Sequence, residues 1–599
     1  MSMNNRLDYP FDAGYLLRKK KLIRRELLSQ TELMEKKIAI LGGSTTAEVK
    51  DMIELFLLNN GIKPVFYESD YNRYYEDVIF SNKALKEFAP DIIYIHTSAV
   101  NITRFPTITE SREDILKLVS GETEKFVEIW NRITSDYACP VIQNNFELPH
   151  YRPLGNLDVY DIHGRTTFIA ALNLRFSEEA RQRKNLYLND INYLAAWFGL
   201  ERWYDKQAWY SYKYAMSMDA IPLLANSVAS VIRAIYGKTK KCMVLDLDNT
   251  LWGGVIGDDG LNGIKIGKET PEAEAYTEFQ EYIKSLKERG VILAVCSKND
   301  DAMAREGFLH PDSVLVTDDF SGFLANWNPK HENIRNIAMQ LNIGIDSLVF
   351  VDDNPVEREI VRSQEPQVSV PELDNITTNI NILDKAGFFE IVSLSADDIQ
   401  RNLYYAGNTA RQEVQHRFES YDDFLKSLDM IAEIKTFVPV YLDRITQLTN
   451  KTNQFNVTTR RYTFSEIENI ANDDNYIKLY GRLIDKFGDN GLVSVMVGAI
   501  QGQELHIDLW LMSCRVLKRG MEEAMLDQLV HAAKSRGIKK IIGYYNPTAK
   551  NGMVSGLFKG MGFTNKEEAD GGNAWTLDIS SNYINKNNLI RINDDTRKN

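Results

Sequence analysis

Short apolar runs alternate with amphipathic stretches along most of this chain, so the spacing switches repeatedly between strand-like and helical. "KKIAILGGSTTAEVKDMIELFLLNNGIKPVFYESD" reads as strand, glycine turn, helix and strand, and "DIIYIHTSA" at 91–99 is a further buried strand. Such alternation predicts a parallel sheet covered on both faces. The first α/β domain is set at 35–236, after a helical leader at 1–34. A second series at 237–375 runs "CMVLDLDNT", helix "EAYTEFQEYIKSLKERG", "VILAVCSKND", "SVLVTDDF", helix "KHENIRNIAMQLN" and "DSLVFVDDN". The mixed stretch 376–430 reads as a connector. A third, α+β unit at 431–578 contains strand "ELHIDLWLMSC", loop "RVLKRG", helix "MEEAMLDQLVHAAKSRG" and strand "IKKIIGYYN". The polar residues 579–599 read as a flexible tail. The fold class is therefore multidomain α/β.

Composition narrows the class. A chain of 599 residues exceeds one hydrophobic core. The net charge of −13 disfavours nucleic acid, and the basic cluster at 18–25 reads as a solvated helix face. No unbroken apolar run suggests membrane insertion, and the N-terminus lacks the pattern of a secretory signal. Cys139, Cys242, Cys296 and Cys514 make neither a disulfide framework nor a metal-binding pair, which fits a reducing, cytoplasmic setting.

In the second series the strands end in polar clusters: Asp246 and Asp248, Ser297 and Lys298, Asp318 and Asp319, Asp352 and Asp353. Ligands of open α/β sheets bind at those carboxyl ends, so the clusters should converge on one crevice. Carboxylates at i and i+2 repel unless a cation compensates them, and Mg²⁺ fits, with Asp352 and Asp353 supplying further oxygen. Ser297 can donate to a phosphoryl oxygen and Lys330 can neutralise it. These are the parts of a phosphoryl-transfer site. Asn249 either joins the phosphate-binding set or caps the turn; Trp252 is either core or substrate wall.

"DLDNTLW" with Ser297, Lys330 and "VDDN" in that order resembles the four motifs of the haloacid dehalogenase (HAD) superfamily. The strings "VLDLDNTLWGGVIGDDG", "VCSKND", "LANWNPKHENI" and "VFVDDNPVERE" resemble its FkbH-like proteins, in subfamily IIIC. The resemblance implies that Asp246 attacks phosphorus and Asp248 is general acid and base, lending its backbone carbonyl to Mg²⁺. It further implies that Ser297 and Lys330 hold the phosphoryl group and that Asp352, with Asp353, ligates the metal.

The third unit resembles the GNAT acyltransferase layout, whose Arg/Gln-x-x-Gly-x-Gly/Ala loop offers backbone N–H groups to the pyrophosphate of coenzyme A. Arg515 and Gly520 match, but Lys518 stands where the first glycine belongs, so a carrier protein's phosphopantetheine arm is the other candidate occupant. Cys514 precedes this loop, either as an inert buried thiol or as a nucleophile carrying an acyl group as a thioester, with Cys296 the competitor. Arg515, Arg519, Gly520 and, in the amide-rich stretch 444–463, Asn453 are the candidate thioester or carrier-binding residues. The first domain resembles the SGNH hydrolases, but the Asp-x-x-His that would activate Ser44 does not occur. A non-catalytic domain with Ser44 as a helix cap follows.

The resulting expectation is a Mg²⁺-dependent phosphatase or phosphotransferase that takes phosphate from an acyl phosphate such as 1,3-bisphosphoglycerate and gives the glyceryl group to an acyl carrier protein thiol. A small-molecule phosphatase without acyl transfer, and a non-catalytic scaffold, are the alternatives.

Overall fold

The computed structural model describes residues 6–29, 33–415, 417–548, 550–567, 573–580 and 583–593. The chain divides into two compact units, one of 1–238 with 383–392, the other of 239–382 with 393–599.

The first unit is built on a parallel sheet of β1 (Met34–Gly42), β2 (Ile62–Glu68), β3 (Ile92–His96), β4 (Val141–Asn144) and β5 (Leu186–Asn189), in the order β2-β1-β3-β4-β5. β3 is buried throughout, as its unbroken apolar run requires. Helices Ala47–Asn59 and Ile221–Ile235 belong to one core cluster, and Arg112–Tyr137 and Arg165–Gln182 to another. One stretch, Met218–Ile235, is long and apolar enough to cross a membrane, and 78% of it is buried inside the protein. Segment 383–392, expected in the connector, belongs to this unit. Arg233 reaches the Gly387 carbonyl at 2.9 Å, and Asn226 reaches that of Lys385 at 2.9 Å.

The second unit opens with β6 (Cys242–Leu245), β7 (Ile292–Ser297), β8 (Gly322–Ala325) and β9 (Leu348–Val351), a parallel sheet in the order β8-β7-β6-β9. The run "SVLVTDDF" is not a strand. Its Asp319 is buried in a 3-10 turn between Lys284 (2.7 Å) and Lys287 (2.5 Å), so it serves packing and not the crevice.

The other sheet has eight strands: β10 (Ile431–Thr436), β11 (Tyr476–Asp485), β12 (Gly488–Gln501), β13 (Glu504–Met512), β14 (Lys540–Tyr544), β15 (Thr564–Glu567), β16 (Asn573–Asp578) and β17 (Arg591–Ile592), in the order β15-β16-β14-β13-β12-β11-β10-β17. Residues 583–593, expected to be flexible, are tied down. Tyr583 donates to Asp527 at 2.7 Å, Lys586 and Asn587 bring main-chain N–H groups to the same carboxylate, and β17 pairs with β10. Residues 581–582 and 594–599 of that predicted tail lie outside the described residues. β13 and β14 pair only through 504–506 and 540–542. Beyond that point, the chain's own 455–457 takes up the main chain of β13: Val457 N–H donates to Trp510 O (3.1 Å) and Met512 N–H to Phe455 O (3.0 Å).

Candidate active site

β6 lies between β7 and β9, so the residues ending these strands face one crevice. Asp246 follows β6, Ser297 ends β7, Asp352 follows β9, and Lys330 opens the helix Lys330–Gln340 after β8. Lys330 Nζ lies 2.8 Å from Asp246 Oδ2 and 2.6 Å from Asp352 Oδ2, and all three groups are buried. Burial alone would lower the Lys330 ammonium, but the two carboxylates overcome it and hold the lysine charged. Burial, and after it the Asp246 charge, push Asp352 and Asp353 above the usual carboxylate range.

Carboxylate oxygens of Asp246, Asp352 and Asp353 lie within 4.8 Å of one another. Three carboxylates against one ammonium leave two negative charges (−3 + 1 = −2). Among the described residues, the buried Asp246 Oδ1 and the Ser297 hydroxyl have no hydrogen-bond partner. A hard divalent cation answers both the charge and the orphaned oxygen. The donor set fits one.

The Asp248 side chain, expected as general acid and base with only its backbone carbonyl on the metal, is held by three hydrogen bonds. Its Oδ1 accepts from Trp252 Nε1 (2.9 Å) and Ile256 N–H (3.1 Å), and its Oδ2 from Asn299 Nδ2 (3.1 Å). Burial raises its pKa, which suits a group that must hold a proton for a leaving group. Trp252 is fully buried, so it is core and a donor to Asp248, not a substrate wall. Asn249 is a turn residue. Its φ is +54° and its Oδ1 accepts the Gly254 N–H at 2.9 Å, so it caps the turn through its oxygen. Sequence reasoning missed Asn299, although it stands two residues beyond Ser297 where strand alternation would return a side chain to the same face. It also missed Arg358, whose Nη1 gathers the Asp352 and Asp353 carbonyls at 2.8 and 2.7 Å.

A family model described as the FkbH N-terminal domain matches residues 37–233. A solved structure of the N-terminal part of BF1531 from Bacteroides fragilis, containing a phosphatase domain complexed with Mg, is 31% identical. The match covers 63% of this chain and 99% of that one at a TM-score of 0.58. The chain belongs to the FkbH-like proteins of the HAD superfamily. No curated protein sequence matches it. Two acetyltransferases also align: the ribosomal-protein-S18-alanine N-acetyltransferase of Escherichia coli at 13% identity (26% of this chain, 98% of that one, TM-score 0.20), and the GNAT domain of S. lividans PAT at 15% (24%, 90%, 0.21).

In this FkbH-like chain each C-terminal candidate makes contacts within the protein. Lys518 adopts φ +61° and Gly520 φ +82°. The Lys518 N–H is taken by Glu522 Oε1 at 3.2 Å, so that loop N–H is not free for an anion. Burial pushes Glu522 up to about 7. Leu589 of the C-terminal segment lies 3.3 Å from where a Cβ on Gly520 would stand. Arg519 is bound to Asp485 (3.3 Å) and Asn408 (2.9 Å), and Asn453 Oδ1 accepts from Arg461 Nη2 at 2.6 Å. The main chain of β13 that an extended pantetheine arm could pair with is already paired to 455–457.

Cys514 sits against the four-stranded parallel sheet. Its carbonyl accepts from Asn342 at 2.6 Å, its side chain packs against the core under β6–β9, and Tyr405 hydrogen-bonds to its sulfur. Its neighbour Lys241 stands just before β6, whereas Asp246 stands just after it, about 16 Å of strand away. The competitor Cys296 is wholly buried, and burial raises its thiol far out of the reactive range.

Ser44 in the first unit is buried with its hydroxyl unpartnered. The cap of helix Ala47–Asn59 is Thr46, so Ser44 does not fill the role expected of it. His96 is bound to Tyr94 and Asn144 and lowered by burial to about 4.

Proposed function

We propose that this FkbH-like enzyme is a Mg²⁺-dependent phosphatase of small phosphorylated substrates in which Asp246 is the nucleophile. The observation that carries this reading is the buried, unpartnered Asp246 Oδ1 beside Lys330 and the Asp352–Asp353 pair. Asp246, Asp352 and Asp353 hold the Mg²⁺, which supplies charge neutralisation for an incoming phosphate. Lys330 binds the phosphoryl oxygens, Ser297 donates to one of them, and Asp248, steadied by Trp252 and Asn299, exchanges the proton with leaving group and water.

In the fuller reading the substrate is an acyl phosphate of the 1,3-bisphosphoglycerate type. Its acyl group passes through a Cys514 thioester to an acyl carrier protein thiol. Support comes from Cys514 being the one cysteine of four that is not buried, with a tyrosine hydroxyl on its sulfur. Phosphatase action without acyl transfer is the second reading, favoured by the strand length separating Asp246 from Cys514.

Incubation with Mg²⁺ and enzymatically generated 1,3-bisphosphoglycerate, followed by intact-protein mass and phosphate release, separates the readings. The fuller one requires a glyceryl-sized adduct absent from Cys514→Ala and phosphate release reduced at least a hundredfold in Asp246→Asn. Phosphate release without an adduct leaves the phosphatase alone. Full release by Asp246→Asn would remove the nucleophile assignment.

A further inference from the structure

The N-terminal edge of the β6–β9 sheet carries a second cluster of charge, opposite in sign to the first. Lys241, Arg401, Arg444, Lys451 and Arg515 meet there, each acting on the charge state of another member of the group or on Cys514. Asp397 and Asp398 face them. Arg401 is paired with Asp398, Arg444 Nε is 3.0 Å from Asp397, and Lys451 is 3.5 Å from Asp398. Five basic groups thus face two carboxylates beside a half-buried thiol, and Asp346, the further carboxylate acting on Lys241, is itself paired with Lys550.

Two of the cations are poorly satisfied. Among the described residues, Lys241 Nζ reaches only the Lys451 carbonyl, at 3.4 Å. Arg515 is 7% exposed and stacks on Tyr404 at 4.4 Å, yet its Nη1 has no hydrogen-bond partner. Unpaired buried cations are costly, and a bound anion relieves that cost. Burial and Arg401 together push Lys451 down to about 7 in the protein as it stands, which is the response of a site short of negative charge.

We propose that this edge is an anion seat that holds the phosphoryl group of an acyl phosphate against Cys514, so that acyl capture and phosphate-ester hydrolysis occur at opposite ends of one sheet. The proposal rests on the reading that Cys514 accepts an acyl group. The Cys514 sulfur attacks the acyl carbon, the bond from that carbon to the phosphate oxygen breaks, and the thiol proton leaves on phosphate: R–CO–OPO₃²⁻ and Cys–SH give R–CO–S–Cys and HPO₄²⁻. Lys241, Lys451 and Arg401 neutralise the departing phosphate, and the Tyr405 hydroxyl stabilises sulfur as its proton leaves. An acyl phosphate that also carries a phosphate ester would lose the ester phosphate at Asp246 before capture here, since a group fixed on Cys514 does not span the about 16 Å of strand to Asp246.

The test uses the full chain carrying Asp246→Asn, which silences the other centre. Cys514 is the only cysteine not buried, so alkylation of the folded protein followed by intact mass reports on it alone. Iodoacetate should outpace neutral iodoacetamide by about tenfold more than it does with glutathione, as expected for a cationic pocket. Millimolar inorganic phosphate should suppress the iodoacetate reaction. Lys451→Gln and Lys241→Gln, each checked for an unchanged urea midpoint, should remove the preference. They should also raise the acetyl phosphate concentration giving half-maximal acylation about tenfold, with the limiting rate changed less than about threefold. A glutathione-like ratio with no phosphate protection overturns the anion seat, even if the thioester forms. No acyl adduct from either acetyl phosphate or 1,3-bisphosphoglycerate overturns the Cys514 reading, and the seat for an acyl phosphate with it.

Discussion

A single methyl group added outside the catalytic crevice should disturb Asp248. Gly307 is buried in a right-handed helical conformation, and a Cβ there would stand 2.6 Å from Trp252 Cη2, 2.9 Å from Trp252 Cζ2 and 3.0 Å from Ile256 Cδ1. Trp252 and Ile256 are the two residues whose N–H groups bind Asp248 Oδ1, and the indole is also held edge-on by Phe308 at 5.3 Å. Gly307→Ala therefore forces the indole to shift. Overpacking costs about 1–3 kcal/mol, and the reduced freedom of the unfolded chain returns about 0.4–1 kcal/mol, so a net loss of about 1–2 kcal/mol is expected. Displacement of the catalytic carboxyl should lower kcat by about tenfold or more. Trp252→Phe frees the space but removes a hydrogen bond to a charged group, which costs about 1.5–3 kcal/mol. The double variant should then be no less stable than Trp252→Phe alone, a coupling of at least about 1 kcal/mol. Urea midpoints and phosphate release measured across the four proteins decide this. Additivity within about 0.5 kcal/mol, or a destabilised Gly307→Ala with unchanged kcat, would refute the path from Gly307 through Trp252 to Asp248.

Three further outcomes follow from buried charge and from the tied-down C-terminal segment. Glu147 is buried with the Ala99 N–H on its carboxylate, and burial raises it to about 7. The native state thus keeps a proton that the unfolded state loses from about pH 4.5, and stability falls as pH rises toward 7; Glu147→Gln should be more stable at pH 8 by up to about 3 kcal/mol and equal at pH 4 in urea titrations. Asp485 receives Arg411 through two 2.8 Å bonds and Arg519 at 3.3 Å, so Asp485→Asn strands buried cations and should cost about 3–5 kcal/mol in the same assay. Truncation after 580 removes the Tyr583 and main-chain bonds to Asp527 and the β17–β10 pairing; the urea midpoint should drop, whereas a fraying tail would leave it unmoved.

The phosphatase crevice was legible because a short apolar run ending in carboxylates has few other uses. Asp246, Ser297 and Asp352 do come together on adjacent strand ends, and the helix after β8 brings Lys330 to them. The same rule misplaced Asp319, since an apolar run with a polar end also describes a turn whose aspartate is claimed by Lys284 and Lys287. Asn249 and Trp252 were left open because turn geometry and burial depend on what packs behind them, and here Gly254 and Phe308 decide both. The C-terminal segment was misread for a similar reason. Its polar residues have no periodicity, yet Asp527 on a distant helix gathers their N–H groups. Glu522 also escaped notice, because a helix-initial glutamate is ordinary until its oxygen is seen on the Lys518 N–H.

The placement of Cys514 could not be read at all, because no local pattern says against which edge of a neighbouring sheet a loop will pack. That placement separates two kinds of phosphate recognition on one short parallel sheet. At the C-terminal edge the protein alone repels a phosphate, since three carboxylates outnumber one ammonium, so binding there waits on Mg²⁺. At the N-terminal edge the protein alone attracts one, since cations outnumber carboxylates, and no metal is called for. Chelation should therefore divide the two chemistries. With EDTA present, release of phosphate from an ester should stop, while acylation of Cys514 by acetyl phosphate should proceed within about twofold of its rate in Mg²⁺. Equal loss of both would mean that a single metal-dependent site serves them, and that the opposite signs of the two edges have no part in the reaction.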